Sequence, residues 1–422
     1  MSGTTGIILD PKQKEAIASA FEYPITVIVG PAGSGKSLIC RFIYQIANEH
    51  GLSVSMMSPT GKAAQNLAEK TGGSASTIHR SLKMTPEQSI GREDIIQDIV
   101  IIDEISMVGM DTAYPLLYAM RNSSGHLILV GDSNQLPSVS PGNILSDIIR
   151  SGCAHVVMLD TIHRQDAHSY IPVVANEIAK GKVTDIPSDA KDITWYDINE
   201  NTFPDDIRNK VQEFIDKNEL DNLQVIAPMY RGECGINNIN AIIQELVAKK
   251  NNITKSLKKE GSLYYVGDRV IQTENDYKKM IYNGDMGIVK ELGSKVIDPS
   301  KSDEKTDYIV VEFNNKNEIT FYDKEISQIK VAWCCSVHKF QGSQCPTIIF
   351  VMPRQTQIMI NKELVYTALT RAEKQLIIYG DVNLWKMAPH KSDIKTRFTN
   401  LDVLISGMQH NKKMFQILGE QS

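Results

Sequence analysis

Gly30-Pro31-Ala32-Gly33-Ser34-Gly35-Lys36-Ser37 is the stretch that decides the fold. Ile25-Thr26-Val27-Ile28-Val29 before it reads as a short β-branched strand, and Leu38 to Ala47 after it as an amphipathic helix. A glycine turn running from a strand into a helix that opens on Lys-Ser is the setting in which such a loop cradles phosphates. Its glycines let backbone N–H groups turn inward, and the helix N-terminus favours an anion. Lys36 is then expected to reach the β- and γ-phosphates and the Ser37 hydroxyl to hold Mg²⁺. ATP and Mg²⁺ are therefore the expected cofactors.

Working outward, short apolar strands alternate with helical segments: Ile25–Val29, Ser53–Ser58, Asp98–Asp103, His126–Gly131 and His155–Leu159. That alternation predicts a parallel sheet with helices on both faces. Val183 to Asp206 is richer in Asp, Pro and Asn and reads as a connection. A second α/β pattern follows at Leu223–Ala227, Thr347–Met352 and Gln375–Gly380. Between its strands, about Ser262 to Gln328, short β segments are separated by Asn283-Gly284-Asp285 and Asn314-Asn315-Lys316-Asn317, which are turn signals. This predicts a small all-β insert. Asn400 to Ser422 reads as an amphipathic helix with a frayed end.

The 422 residues suit two or three domains. With 45 basic and 50 acidic residues the net charge is −5, which excludes a histone-like protein but not a local basic groove. The six cysteines form no CxxC pair and no zinc-ligand spacing, and read as buried apolar groups in a reducing compartment. No signal peptide and no apolar run of membrane-spanning length is found, so a cytoplasmic protein is expected.

Val100-Ile101-Ile102-Asp103-Glu104 is an apolar strand ending in two carboxylates. Asp103 is expected to hold Mg²⁺ and Glu104 to accept a proton from the attacking water. The next strand leads into Asp132-Ser133-Asn134-Gln135, where Gln135 is the candidate γ-phosphate sensor.

These blocks resemble those of superfamily 1B helicases, of the RecD-like and Dda-like branch. Gln13 resembles the adenine-reading glutamine, Ser58 to Ala64 motif Ia, and Thr77-Ile78-His79-Arg80 the strand-contacting segment after it. Asp103 to Met107 resembles motif II and Gly131 to Pro137 motif III. Leu159 to Gln165 resembles the segment carrying a first arginine finger, Arg164, with His163 against the adenine. Pro228-Met229-Tyr230-Arg231-Gly232, with Gly235 and Asn240, matches the RecD-type motif. Ser336 to Ser343, which includes Gly342, resembles motif V, and Val365 to Ala372 motif VI with a second finger, Arg371.

The resemblance implies two RecA-like motor domains, a pin-like insertion in the first and an SH3-like β-barrel in the second. The expected boundaries are 1–182 with a pin at 81–97, then 183–261 with 329–399, the insert at 262–328, and a tail at 400–422. Met84 is the most obvious apolar pin tip. Lys36, Glu104, Gln135, Arg164 and Arg371 would carry catalysis, the fingers by stabilising transition-state charge, worth ~10³–10⁵ in rate elsewhere. Gln13, Gly30 to Ser37, His163 and Gly342 would line the nucleotide. Thr60, Lys62, Thr77, His79, His338 and Lys339 would contact single-stranded DNA through phosphates and stacking. The implied activity is 5′–3′ translocation on single strands with unwinding of forked duplexes, in replication, recombination or repair and beside proteins of those processes. A protein-displacing translocase, a nucleotide-gated loader and an RNA substrate stay open at this point.

Overall fold

The computed structural model describes residues 8–84, 93–161, 169–259, 261–276, 278–296, 305–313, 317–392, 397 and 399–408. Packing divides the chain into two compact units, residues 1–167 with 392–422, and residues 168–391.

The first unit alternates α1 (Pro11–Glu22), β1 (Ile25–Val29), α2 (Lys36–Glu49), β2 (Val54–Ser58), α3 (Gly61–Thr71), β3 (Ala75–Thr77), α4 (Ile78–Ser81), β4 (Ile99–Ile102), α5 (Met110–Ala119), β5 (His126–Gly131), α6 (Ile144–Ser151) and β6 (His155–Met158). Its six strands are parallel, in the order β3-β2-β4-β5-β1-β6. Both faces are buried, so the strands read as continuous apolar runs. Val27, Val29, Val100, Ile102, Leu127 and Leu129 pack on one face with Leu116 and Ile144. Ile28, Ile99, Ile101, Ile128 and Val130 pack on the other with Ile39, Ile43 and Leu67. Each such side chain contributes about 1.5–3 kcal/mol by leaving water.

Met84 is not an exposed pin tip. It is buried in the first face's core with Leu82 and Ile95. These three apolar groups anchor both limbs of the 81–97 segment, and Lys83 pairs with Glu93 at 2.8 Å across its base. Residues 85–92, the rest of the expected pin, lie outside the described residues.

The second unit holds α7 (Ile171–Ala179), β7 (Ile193–Asp197), α8 (Phe203–Asp216), β8 (Leu223–Ile226), α9 (Ile236–Lys250), β9 (Ser256–Lys259), β10 (Ser262–Tyr265), β11 (Arg269–Gln272), β12 (Met286–Val296), β13 (Lys305–Phe313), β14 (Glu318–Tyr322), β15 (Ile329–Val331), β16 (Cys334–Cys335), β17 (Cys345–Met352), α10 (Lys362–Leu369), β18 (Ala372–Gly380) and α11 (Val382–Met387). A parallel sheet runs β16-β8-β17-β18-β7. Leu223, Val225, Ile349, Val351 and Ile377 bury one of its faces against α8 and α9. The insert is an antiparallel sheet in the order β14-β13-β12-β11-β15, with a β9–β10 hairpin. Val270, Val289, Leu292, Ile309, Val311 and Phe321 form its own core.

Three expectations change. The segment read as a connection, Val183 to Asp206, contains β7, the edge strand of the second sheet. Residues 168–182, expected in the first motor domain, fall in the second unit, where α7 packs beside α10 and β18. Arg397 and Thr399, expected in the second, belong to the first unit. There Arg397 donates to the Ser140 and Gly142 carbonyls, and Thr399 donates to Asp147. Helix 401–408 follows, with Asp402 paired to Arg150 at 3.0 Å. The expected helix beyond 408 lies outside the described residues. No helix among the described residues is long and apolar enough to cross a membrane.

The turn between β11 and β12 yields a stability prediction. Gly284 takes φ +94°, and Asp285 accepts from the Tyr282 N–H at 2.8 Å. Burial raises the Asp285 carboxyl to about 6. An acid raised this way favours the folded state most below its unfolded pKa, and that advantage is lost as pH rises from about 4 to about 6. Asp285→Asn keeps the acceptor without the charge. Its stability relative to wild type should grow through that window and level off above it, reaching at most ~3 kcal/mol less solvent screening. Denaturant melts at pH 4, 5, 6 and 7.5 check this, and a pH-independent difference refutes it.

Candidate functional site

In the first unit, polar chemistry gathers at the carboxyl ends of β1, β4 and β5, which are neighbours in the sheet. Gly30 leaves β1 with its N–H donating to Gly131 O at the end of β5. A Cβ there would sit 2.5 Å from Ser34 Oγ and 2.8 Å from Leu159 Cβ, so only glycine fits. Gly33 and Gly35 take φ +82° and +87°, the left-handed region that turns the loop into α2. Lys36 Nζ donates to Gly30 O at 2.6 Å and Pro31 O at 2.9 Å, which holds the ammonium over the loop. Ser37 follows it on the first turn of α2.

Gln13 is buried behind this loop. Its Oε1 accepts from Asp10 N–H, Asp10 Oδ1 accepts from Gln13 N–H, and Gln13 Nε2 donates to Ser34 O at 3.2 Å. The residue expected to read adenine thus also caps α1 and braces the loop.

At the end of β4, Asp103 Oδ1 accepts from Glu104 N–H at 2.9 Å. Burial raises the Asp103 carboxyl to about 6, the Glu104 charge adds to that, and Lys36 opposes it. Glu104 sits at φ +55°, a left-handed backbone unusual for this residue. Such strain persists where the surroundings enforce it, commonly at functional sites. Glu104 Oε2, Ser34 Oγ and Gln135 Oε1 are buried without a hydrogen-bond partner among the described residues. A buried polar atom left so costs about 1–3 kcal/mol. Three of them around one loop fit a polar ligand, and a hydroxyl, a carboxylate and an ammonium are the donor set that Mg²⁺ and a triphosphate require.

In the second unit Arg371 is buried. Its Nε donates to Thr367 O and its Nη1 to Ser343 O, both at 3.1 Å, and its Nη2 to Thr370 Oγ1 at 3.4 Å. No carboxylate pairs with it among the described residues. The 336–343 turn leaves β16 through N–H bonds from Phe340 to Ser336 O and from Ser343 to Phe340 O. Gly342 takes φ +73° inside it. Ser343 has no role in the motif as read from the sequence, and its carbonyl is one of the three oxygens that hold the Arg371 guanidinium. Asn240 clamps β16: it accepts from Cys334 N–H at 2.7 Å and donates to Cys334 O at 3.0 Å. His163 and Arg164 lie outside the described residues.

The expected strand contacts divide between the units. Thr60 and Thr77 are the N-caps of α3 and α4, accepting from Ala63 and Arg80 N–H while each hydroxyl keeps a proton to donate. Lys62 is half-buried and reaches Gln65 at 3.5 Å. Burial lowers the His79 pKa, opposed by Asp111, so His79 offers a neutral ring. His338 is exposed and Lys339 half-exposed in the second unit's turn.

These features define the class: a phosphate-loop protein with two parallel-sheet units and a β insert in the second. Family models match an AAA domain over residues 8–200, an ATP-dependent RecD-like DNA helicase SH3 domain over 239–313, and a UvrD-like helicase C-terminal domain over 331–379. The chain is 29% identical to the ATP-dependent RecD2 DNA helicase of Deinococcus radiodurans, covering 90% of this chain and 50% of that protein. It is 26% identical to the RecBCD enzyme subunit RecD of Mycolicibacterium smegmatis, covering 87% and 70%. It thus spans about half the length of the RecD2 helicase and 41% of an uncharacterized Methanocaldococcus jannaschii protein at 25% identity. The fold is similar to that of Bacteroides Pif1 bound to ssDNA, with a TM-score of 0.53, 21% identity, and coverage of 88% and 92%. Over most of its length the chain is thus similar to RecD-like helicases, and its fold to that of Pif1 helicases.

Gly30→Ala tests the loop. The crowded Cβ should cost about 1–3 kcal/mol and weaken triphosphate binding. Thermal melts with and without ATP read both effects, and wild-type melting with an unaltered ATP shift refutes the constraint.

Proposed function

We propose that the chain is an ATP-driven motor that moves 5′ to 3′ on single-stranded DNA and separates forked duplexes. Two observations, one within each unit, carry this reading. One parallel-sheet unit holds a phosphate loop with Asp103 and Glu104, while the other buries Arg371 on neutral oxygens, with no carboxylate partner among the described residues. A buried guanidinium without a counter-charge is poorly compensated, and a phosphate would complete it. The helicase names of the matching relatives support the same reading.

In the proposed cycle, Lys36 trades its loop carbonyls for β- and γ-phosphate oxygens. Ser37 and Asp103 would hold Mg²⁺, which supplies positive charge against the phosphates when bound. Glu104 accepts a proton from the attacking water, and Gln135 senses the γ-phosphate. Arg371, with Arg164, stabilises charge that develops in the transition state. Thr60, Lys62, Thr77, His79, His338 and Lys339 grip the strand. The 81–97 segment serves as the wedge, and replication or recombination proteins are the proposed partners, in the cytoplasm.

Two variants separate binding from chemistry. Glu104→Gln and Arg371→Ala should each lower strand-stimulated kcat by roughly 10³-fold while keeping ATP affinity, because both act mainly in the transition state. Equilibrium ATP binding beside steady-state turnover checks this. Near-normal turnover of Glu104→Gln removes the base assignment, and loss of DNA affinity alone in Arg371→Ala moves that residue to the strand track.

Polarity and engagement are read with tailed duplexes. A 5′-tailed DNA duplex should be unwound, whereas 3′-tailed and RNA-tailed duplexes should not. Log affinity for the single strand should fall with log salt by about 0.7 per phosphate held. For a chain of net charge −5, only a localised groove gives that slope. Salt-independent affinity overturns the motor reading.

A further inference from the structure

The second unit contains a buried polar node that the ATPase and strand assignments do not use. Asp268, in the turn between β10 and β11 of the insert, is almost fully buried. Its Oδ2 accepts from Gln244 Nε2 of α9 at 2.6 Å and from Tyr265 N–H at 2.8 Å. Its Oδ1 accepts from Trp333 Nε1 at 3.1 Å. The Arg269 guanidinium lies 4.8 Å from the centre of the Trp333 ring. It also donates to Leu223 O and Leu220 O, at 2.7 and 2.8 Å, at the head of β8. Trp333 therefore receives a hydrogen bond acceptor and a cation from the insert, and it is the residue immediately before β16.

From Trp333 onward every step toward Arg371 is held. Trp333 O accepts from Val225 N–H at 3.3 Å and from Gln224 Nε2 at 3.0 Å. Asn240 clamps Cys334 on both sides. The 336–343 turn follows without an intervening loop, carries His338 and Lys339, and ends on the Ser343 carbonyl that holds Arg371. Only nine residues lie between Trp333 and Ser343.

We infer that Asp268 and Trp333 are positioning residues through which the β insert sets the 336–343 turn and, with it, the Arg371 guanidinium. The inference rests on the motor reading above and gives the insert a role in it. Neither residue is among those assigned above to the nucleotide or the strand. Each holds a backbone segment whose displacement by about 1 Å would misalign the finger, and misplacement on that scale costs on the order of 10²-fold in rate.

The test uses the whole chain and two substitutions. Trp333→Phe keeps the ring and removes the N–H. Asp268→Asn keeps the shape and halves the acceptor capacity. Strand-stimulated kcat, KM for ATP, the strand-free ATPase rate and the melting temperature are measured together. The expected result is a fall in strand-stimulated kcat on the order of tenfold or more, with KM for ATP and the strand-free rate unchanged. Wild-type stimulation in a folded Trp333→Phe overturns the inference, as does a parallel loss of all three kinetic quantities, which marks a structural role only. If Asp268→Asn fails to fold, Trp333→Phe decides. A wild-type protein whose ATPase ignores single strands overturns the motor reading itself, an outcome distinct from a stimulated wild type with a fully stimulated variant.

Discussion

A parallel sheet buried on both faces can present polar chemistry only at the ends of its strands. That constraint organises the first unit. Val27, Val29, Ile101 and Ile128 have no room for charge around them, so Lys36, Asp103, Glu104 and Gln135 fall where β1, β4 and β5 stop. The same sheet fixes their spacing, because neighbouring strands lie about 4.8 Å apart. The close passage of Gly30 past Ser34 and Leu159 follows from it as well, since the loop has to turn tightly between two strand ends. Ligands of open α/β sheets collect at this edge for the same reason.

The buried charges of the chain are compensated in different ways, and the difference marks their use. Asp268 has three donors on two oxygens and is complete within the protein. Burial still raises its pKa against those donors. Among the described residues Arg371 has only carbonyls and a hydroxyl as partners. Glu104 keeps one oxygen buried with no partner on a left-handed backbone. A satisfied node stiffens what it joins, whereas an incompletely satisfied group keeps interaction free energy available for a ligand.

What was legible in the sequence was local. Gly30 to Ser37 is one contiguous loop between a strand and a helix, so its chemistry and backbone are written in the same eight residues. The β-insert strands announced themselves by alternation and by Asn283-Gly284-Asp285, where Gly284 does take a left-handed turn. The misreadings involve partners distant in sequence. Met84 looked exposed because its neighbours are polar, yet Leu82 and Ile95 draw it into the core. The β7 strand, Ile193-Thr-Trp-Tyr-Asp197, sits at a sheet edge and buries little, so no apolar run marks it. The Asp268–Trp333 bond joins residues 65 apart, and the Arg371–Ser343 bond residues 28 apart. No spacing rule reports such pairs.

The insert is not hung on a linker. Within it β11 pairs with the strand that leads out of it, β15, through Val270 and Val331, Ile271 and Lys330, and Gln272 and Ile329. Its stem is therefore a two-stranded ladder, and bending it means breaking backbone hydrogen bonds in a buried setting, where each lost bond is costly. Arg269 fastens β11 to the head of β8, and Asn240 ties β15 through the Val331 carbonyl. A β domain rooted this way follows the sheet that carries it. A Gly/Ser-rich tether, by contrast, would leave the two free to move apart. The rigidity of the root, more than the barrel's own surface, is what makes the insert a mechanical part of the second unit.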